Sequence, residues 1–447
     1  MTNRVTEYYR CPSQYAQLSV KGQLSGTSGY FRFGDNTVYG GCCGPQPGAA
    51  PTGPLWNADQ SVHCENGTVH LPFDLSQLVD NLRREDYLQG PLSGAADSVL
   101  ASLYYFARPA LPVSVRKHLQ RIRLRGWQDI PFPQWPVDST VDDILNRIMI
   151  LSLRAHKVEQ IPFIWYWPNS ASGCALMTHD VETTVGVDLC PMLMDVNDSF
   201  RIPASFQLVP EERYPVTTEF LTSIRRRGFE VVVHDLNHDG RLFRDRELFL
   251  ERAAKINSYG KKFGATGFRA GILYRNQQWY DALDFEYDMS VPNVAHLDPQ
   301  RGGCCTVMPY FIGDVLELPV TMTQDYTLFN ILNDYSTELW ERQIKLIMEK
   351  HGLISVIIHP DYLTGSQARS IYEALLAKLA DLREKKNVWI TTPDEVNRWW
   401  RQRAEMKIVE EGEQLRIEGA GSERACIAYA SEKDGRLSID LRGVCVS

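Results

Sequence analysis

Several features that would place a protein in a familiar class are missing from these 447 residues. No stretch approaches the roughly 18 apolar residues of a membrane span, and the nearest, Ile161 to Trp167, is far too short. The opening residues, Met1-Thr2-Asn3-Arg4-Val5-Thr6-Glu7, lack the apolar core of a secretory signal. On these grounds the expected compartment is the cytoplasm. GxGxxG, GxxxxGK[ST], GxSxG and HExxH are all absent, which withdraws support from nicotinamide, nucleotide and serine-hydrolase readings. Positive charge is in short supply: 47 Lys and Arg stand against 55 Asp and Glu, a net charge of −8. A dedicated nucleic-acid binder would be basic over its domain, so nucleic acid is not an expected partner.

Cysteine is present but unpatterned. The ten cysteines form no CxxC, and two adjacent pairs, Cys42-Cys43 and Cys304-Cys305, are poorly placed to bridge each other. Ten free thiols, mostly small buried hydrophobes, are expected in a reducing compartment. With 44% hydrophobic and 11% aromatic residues the chain can build real cores, and its length suggests two or three domains.

No Ser/Gly-rich linker divides the chain, but the local pattern changes along it. Residues 1–150 begin with Gly/Pro turns such as Gly40-Gly41-Cys42-Cys43-Gly44-Pro45 around short strand-like pieces such as Tyr30 to Phe33, followed by helical patterns at Leu75 to Arg84 and Ser98 to Arg108. This zone reads as an α+β domain without an assigned role. Six basic residues and no acid lie between Arg108 and Arg125. They mark either a solvated helix face or a patch for an anionic carrier or peripheral membrane contact. Residues 151–403 hold short apolar strands alternating with amphipathic helices, the pattern of βα units. Strands are expected at Cys174 to Met177, Glu230 to Val233, Ala265 to Phe268, Leu353 to Ile358 and Asn387 to Ile390, with helices between them at Thr217 to Arg227, Arg246 to Lys262, Gln277 to Leu283, Ser336 to Lys350 and Ala368 to Lys385. Residues 404–447 alternate polar and apolar at Gln414 to Ile417 and Arg436 to Ile439, suggesting a small β appendage.

Proteins built of βα units place chemistry at the C-terminal ends of strands. There stand Thr178-His179-Asp180-Val181-Glu182 after the first strand, His234-Asp235-Leu236-Asn237-His238 at the end of the second, Arg269-Ala270-Gly271 after the third and His359 after the fourth. Two histidines at i and i+4 on a helical turn point the same way and reach one ion. A carboxylate from a neighbouring strand end completes a three-ligand face with positions left open. The other histidines show no partner spacing, His179 reading as packing or support. The pairs Trp279-Tyr280, Tyr310-Phe311 and Trp399-Trp400 read as core or rim packing before sugar stacking.

This ordered set resembles the polysaccharide deacetylases of the NodB-homology class, carbohydrate esterase family 4, over about 172 to 400, roughly half the chain. Thr178 to Glu182 is similar to that family's Thr-Phe-Asp-Asp with one residue inserted between the acids. His234 to His238 is similar to its His-Ser/Thr-x-x-His, with Asp235 in place of the hydroxyl residue. Arg-x-Pro-x-Gly survives only as Arg269, its proline missing. Phe285 to Ser290 resembles the Tyr-Asp-Ser-Ser segment, and Ile357-Ile358-His359 resembles Leu-x-His.

The resemblance implies a distorted (β/α)7-type barrel at the centre of an α/β protein. It implies a divalent ion, zinc being the family's usual one, on Glu182, His234 and His238, with Asp180 as general base held ionised by Arg269 and His359 as general acid. The implied activity is removal of an acetyl group from a glycan or from a sugar on a lipid or nucleotide carrier, at the inner membrane face if the chain is cytoplasmic. Asp288 is a candidate partner for His359. The residue types leave open that Asp180 is the ligand and Glu182 a bystander. They also leave open an amidohydrolase of small amides or cyclic ureides, and a catalytically silent glycan-binding module.

Overall fold

The computed structural model describes residues 3–88, 122, 124–412 and 414–441. The helical pattern at Ser98 to Arg108, the basic run up to Arg123 and His118 lie outside the described residues. Among the described residues no helix is long and apolar enough to cross a membrane.

The central architecture is α/β, a curled, mostly parallel nine-stranded sheet forming a half-barrel. Its strands are β1 (Gly173–Val181), β2 (Ala204–Leu208), β3 (Glu230–His234), β4 (Gly267–Arg269), β5 (Tyr287–Asp288), β6 (Tyr310–Ile312), β7 (Val315–Glu317), β8 (Leu353–Ile358) and β9 (Val388–Thr391). They lie in the order β6-β7-β5-β4-β3-β2-β1-β8, with β9 paired to β1. Only the β6–β7 pair is antiparallel. All nine residues of β1 and all six of β8 are buried. That is why these segments read as apolar runs without alternation: a parallel sheet is covered on both faces.

Helices α1 (Thr184–Ser199), α2 (Thr218–Arg226), α3 (Arg246–Phe263), α4 (Glu338–Met348), α5 (Ser366–Lys386) and α6 (Pro393–Glu405) complete the βα units. Their starts are chemically marked: the side chains of Thr183, Thr217 and Asp245 accept from the backbone N–H of Gly186, Phe220 and Leu248, each satisfying an otherwise orphaned donor. α3 ends at Gly264 with φ +59°, a left-handed cap that glycine adopts without steric cost.

Before the barrel, the helix Arg4–Tyr9, a three-stranded sheet (Leu18–Val20, His63–Glu65, Thr68–Leu71), the hairpin Gly29–Phe33/Asn36–Gly40 and the helix Leu75–Arg83 lead to a long helix, Thr140–His156. After it come the hairpin Lys407–Glu411/Gln414–Glu418 and the pair Ile427–Lys433/Arg436–Asp440. Of the latter pair, Ile427–Lys433 lies antiparallel to Gln160–Ile164, a strand hidden from the sequence reading inside the apolar run Ile161 to Trp167. One apolar cluster includes Val5, Ile148, Trp165, Leu176, Trp399 and Ala428, so the barrel sheet shares buried surface with segments from both ends. At about 1.5–3 kcal/mol for each large side chain buried, that shared layer is a substantial bond between the parts.

The expectation of ten free thiols needs one correction. Cys426 is disulfide-bonded. A bridge depends on Cα atoms lying about 4.4–6.8 Å apart, which the fold determines and sequence spacing does not.

Candidate metal centre

β1 runs four residues further than its apolar core suggested, so His179 and Asp180 lie within the strand and not after it. Side chains alternate across a strand. Thr178, Asp180 and Glu182 therefore share one face, and His179 takes the other. His179 lies 3.1 Å from Asn197 Nδ2 and 3.5 Å from Tyr372 Oη, towards α1 and α5, and burial lowers its pKa to about 3. The residue inserted between the two acids thus keeps both on the side where Arg269 lies.

Arg269 ends β4 fully buried, its register partner on β3 being His234. Its Nη1 donates to Asp180 Oδ1 at 2.6 Å and to Thr178 Oγ1 at 2.8 Å, and its Nε donates to Met289 O at 3.1 Å. Burial works against ionising Asp180, but Arg269, aided by His234 and His359, outweighs it and leaves the pKa below the usual carboxylate value.

The second motif is not on a helix. His234 ends β3, and the chain then turns sharply through Asp235 (φ +57°) and His238 (φ +55°). This turn, rather than helical periodicity, brings the two imidazoles to 4.9 Å between ring centroids. Arg213 fixes the turn by donating to the carbonyls of Asn237 (3.0 Å) and His238 (2.6 Å).

Glu182, His234 and His238 each offer a ligand atom, all within 4.8 Å of one another. Glu182 Oε1 lies 3.0 Å from His238 Nε2 and 3.9 Å from His234 Nε2. His234 Nδ1 lies 3.1 Å from Arg269 O. A carbonyl only accepts, so Nδ1 carries the hydrogen and the Nε2 lone pair faces the cluster. Neither His234 Nε2 nor His238 Nε2 makes a hydrogen bond, although both are buried; the His238–Glu182 approach is close without hydrogen-bond alignment. Two buried nitrogens that make no aligned hydrogen bond, drawn up to one carboxylate, are a costly arrangement for an apo core and a fitting donor set for a divalent ion. Glu182 is held well below the usual carboxylate range: burial opposes ionisation, but His238, His234 and His359 outweigh it. His238 is raised, Glu182 outweighing burial.

His359 follows β8, its Nε2 3.4 Å from Glu182 Oε1. Its Nδ1 is 2.6 Å from Asp325 Oδ1 and its backbone N–H donates to Asp325 Oδ2 at 2.8 Å. Despite burial, Asp325 and Glu182 raise its pKa well above 6.5. The partner expected for His359, Asp288, is elsewhere. On β5 its carboxylate accepts from Ser290 N (2.9 Å) and Ser290 Oγ (2.8 Å), while Ser290 Oγ accepts from Ala270 N. Asp325 went unrecognised because it opens a short helical segment between β7 and α4, continuing into Thr327–Leu332, with no motif spacing to mark it.

The structure therefore brings Asp180, Glu182, His234, His238, Arg269 and His359 into one cluster at the C-terminal ends of β1, β3, β4 and β8. Tyr280, Tyr310, Trp399 and Trp400 are buried packing residues. Among the other described histidines, His70 meets Ser19 and His351 meets Ser172, both away from the cluster.

Searches for a matching family model and for a similar curated protein both find nothing. Solved structures are found, and they include the class that the motifs resemble. A protein from Mycobacterium smegmatis assigned as a polysaccharide deacetylase matches with 18% identity, covering 53% of this chain and 93% of that one at a TM-score of 0.43. The Puue allantoinase matches at 12% identity, 53% and 92% coverage and a TM-score of 0.40. The peptidoglycan deacetylase PdaC from Bacillus subtilis matches at 13% identity, 52% and 93% coverage and a TM-score of 0.33. The likeness covers about half of this chain and is one of fold.

Proposed function

We propose that this protein is a metal-dependent hydrolase that removes an N-acetyl group from a sugar. One observation carries the reading: the unpartnered, buried Nε2 atoms of His234 and His238 face Glu182, with Asp180 Oδ2 3.7 Å from His234 Nε2 and His359 Nε2 3.4 Å from Glu182. Glu182, His234 and His238 would hold a divalent ion, zinc in this reading, which would supply Lewis acidity toward an acetyl carbonyl and make water a stronger acid near neutral pH.

The chain's own residues then divide the proton work. Asp180, kept ionised by Arg269, takes the proton from the attacking water through Oδ2, the oxygen that Arg269 leaves free. His359, protonated and oriented by Asp325, delivers a proton through Nε2 to the leaving nitrogen. An amide nitrogen leaves poorly without that proton, which makes the imidazolium as necessary as the base. The choice of a sugar substrate rests on the motif order across β1, β3, β4 and β8.

The test is acetate release by zinc-loaded full-length protein from N-acetylglucosamine oligomers, peptidoglycan fragments, and lipid- and nucleotide-linked N-acetyl sugars, with cyclic ureides and imides alongside. Acetate released from a sugar and abolished in His234→Ala supports the reading. Turnover of the ureides alone replaces the substrate class, and no turnover with no bound ion leaves the silent module.

A further inference from the structure

The loop after β4 carries two consecutive non-glycine residues in the left-handed region, Ile272 (φ +63°) and Leu273 (φ +55°). A β-branched residue there is a true outlier, and such conformations persist only where surrounding structure over-determines them. The same loop touches the metal centre. A Cβ on Gly271 would stand 2.5 Å from Asp235 Oδ2 and 2.9 Å from His238 Cδ2, so the Gly271 backbone lies directly against the turn that presents His238.

What holds the loop comes from far away in the sequence. Arg275 is buried (4% exposed), and its Nη1 donates to Leu273 O at 3.0 Å, gripping the strained turn from within. Glu85, also buried (6% exposed), holds the guanidinium at two points: Nε donates to Oε2 at 2.7 Å and Nη2 to Oε1, Nη2 donating in addition to Arg301 O at 3.4 Å. Glu85 has φ +63° and accepts from Gly303 N at 2.6 Å. Two further bonds run in parallel, Gln277 Nε2 to Arg83 O at 2.8 Å and Arg275 N to Gln300 Oε1 at 2.9 Å. The adjacent glycines cannot be replaced cheaply: a Cβ on Gly302 would meet Glu85 Oε1 at 2.4 Å, and one on Gly303 would meet Asn293 O at 2.2 Å.

From this we infer that Glu85 is a positioning residue of the metal centre: through Arg275 it holds the Gly271–Leu273 loop against the His234–His238 turn and so sets the affinity for the divalent ion. The inference rests on the ion site proposed above. It assigns the segment before the barrel a part in the chemistry, although that segment provides no ligand. The buried pair also explains why a charge is tolerated there, since a bidentate arginine–carboxylate contact satisfies both groups.

The experiment is a Zn2+ titration of chelator-stripped full-length protein in three forms: wild type, Glu85→Gln and Glu85→Gln combined with Ile272→Gly. Glu85→Gln keeps the side-chain shape but weakens the grip on Arg275, and it should bind Zn2+ at least about tenfold more weakly, the range seen when support behind a ligand is lost. Glycine at 272 adopts the left-handed conformation without strain, so the double variant should recover most of that affinity. General destabilisation would lower the melting temperature without a glycine-specific recovery of Zn2+ binding. Wild-type affinity in Glu85→Gln, or no recovery in the double variant, overturns the inference while leaving the ion site standing. Absence of Zn2+ binding in the wild type overturns the ion site and the inference with it. If Glu85→Gln does not fold, Glu85→Gln/Arg275→Gln, which removes both buried charges together, takes its place, with and without Ile272→Gly.

Discussion

Asp325 binds His359 twice, accepting from its backbone N–H at 2.8 Å and from its ring Nδ1 at 2.6 Å. A carboxylate that holds both the main chain and the ring of one residue fixes position, ring orientation and tautomer together, and leaves Nε2 as the atom that faces the centre. Removing the charge should therefore damage protonation more than binding. Asp325→Asn is expected to lower kcat by about 10²-fold, within the range of one general acid. It should also move the alkaline limb of the kcat/KM profile to lower pH, because the imidazolium loses its stabilising charge. Zn2+ affinity should stay close to wild type. An unmoved alkaline limb would remove His359 from the acid's role.

The two acids at the end of β1, Asp180 within it and Glu182 just after it, are separable by experiment. Asp180 spends Oδ1 on Arg269 at 2.6 Å, whereas Glu182 reaches His238, His234 and His359 with the same oxygen. Glu182→Gln should lose Zn2+ binding by about 10²-fold or more. Asp180→Asn should keep it within a few fold and yet lose about 10²–10⁴ in kcat. Equilibrium dialysis with metal analysis decides the assignment: an Asp180→Asn protein that loses its zinc makes Asp180 the ligand.

Much of the centre could be read from the chain because ion chemistry restricts residue types and βα architecture restricts where they stand. His234, Arg269 and His359 each close or follow a strand, so apolar runs ending in a polar group marked them. The geometry behind them was less accessible. An i, i+4 spacing fits a helical turn, but the left-handed conformations of Asp235 and His238 produce the same convergence on a loop. Asp325 and Glu85 act across 34 and 190 residues respectively. No local pattern records a contact made only when the segment after β7 packs along β8 or when the Arg83–Glu85 segment reaches the loop after β4. Gln160–Ile164 was hidden for a related reason: its partner strand lies near the other end of the chain.

Gly271 is a position where a single methyl group should be felt at the metal centre. The space its Cβ would need is held by Asp235 Oδ2 at 2.5 Å and His238 Cδ2 at 2.9 Å, both closer than ordinary van der Waals contact. Overpacking of this kind costs about 1–3 kcal/mol. The Asp235 carboxylate can turn aside, but relief of the second contact requires the His238 ring to move, and that shift disturbs the ligand set. Gly271→Ala should weaken Zn2+ binding by about tenfold or more. Isothermal titration of the stripped variant that returned the wild-type constant would show that the turn yields without consequence.

Asp142 offers a test of pH and stability away from the metal. Fully buried on the helix Thr140–His156, it accepts from Tyr8 Oη at 3.1 Å, Thr306 Oγ1 at 2.8 Å and Val307 N at 3.0 Å, joining the helix Arg4–Tyr9 to the segment that leads into β6. Burial outweighs these bonds and pushes its pKa up to about 6. The folded state thus holds this proton more tightly than the unfolded chain, whose aspartates titrate near about 3.9. Its contribution is therefore complete below pH about 4 and is lost as the pH rises toward 6. Raising the pKa from about 3.9 to about 6 corresponds to about 3 kcal/mol. Asp142→Asn cannot ionise, but turns an N–H toward the Val307 donor, so it should be less stable than wild type in acid by about 1–3 kcal/mol. Across pH 4 to 7 the wild type should lose about 2–3 kcal/mol relative to Asp142→Asn, closing the gap or reversing its sign, because only the wild type loses stability through this group. Urea unfolding of both proteins at each pH measures it, and a gap that stays constant from pH 4 to 7 would mean that Asp142 ionises in the folded protein as readily as in the unfolded chain.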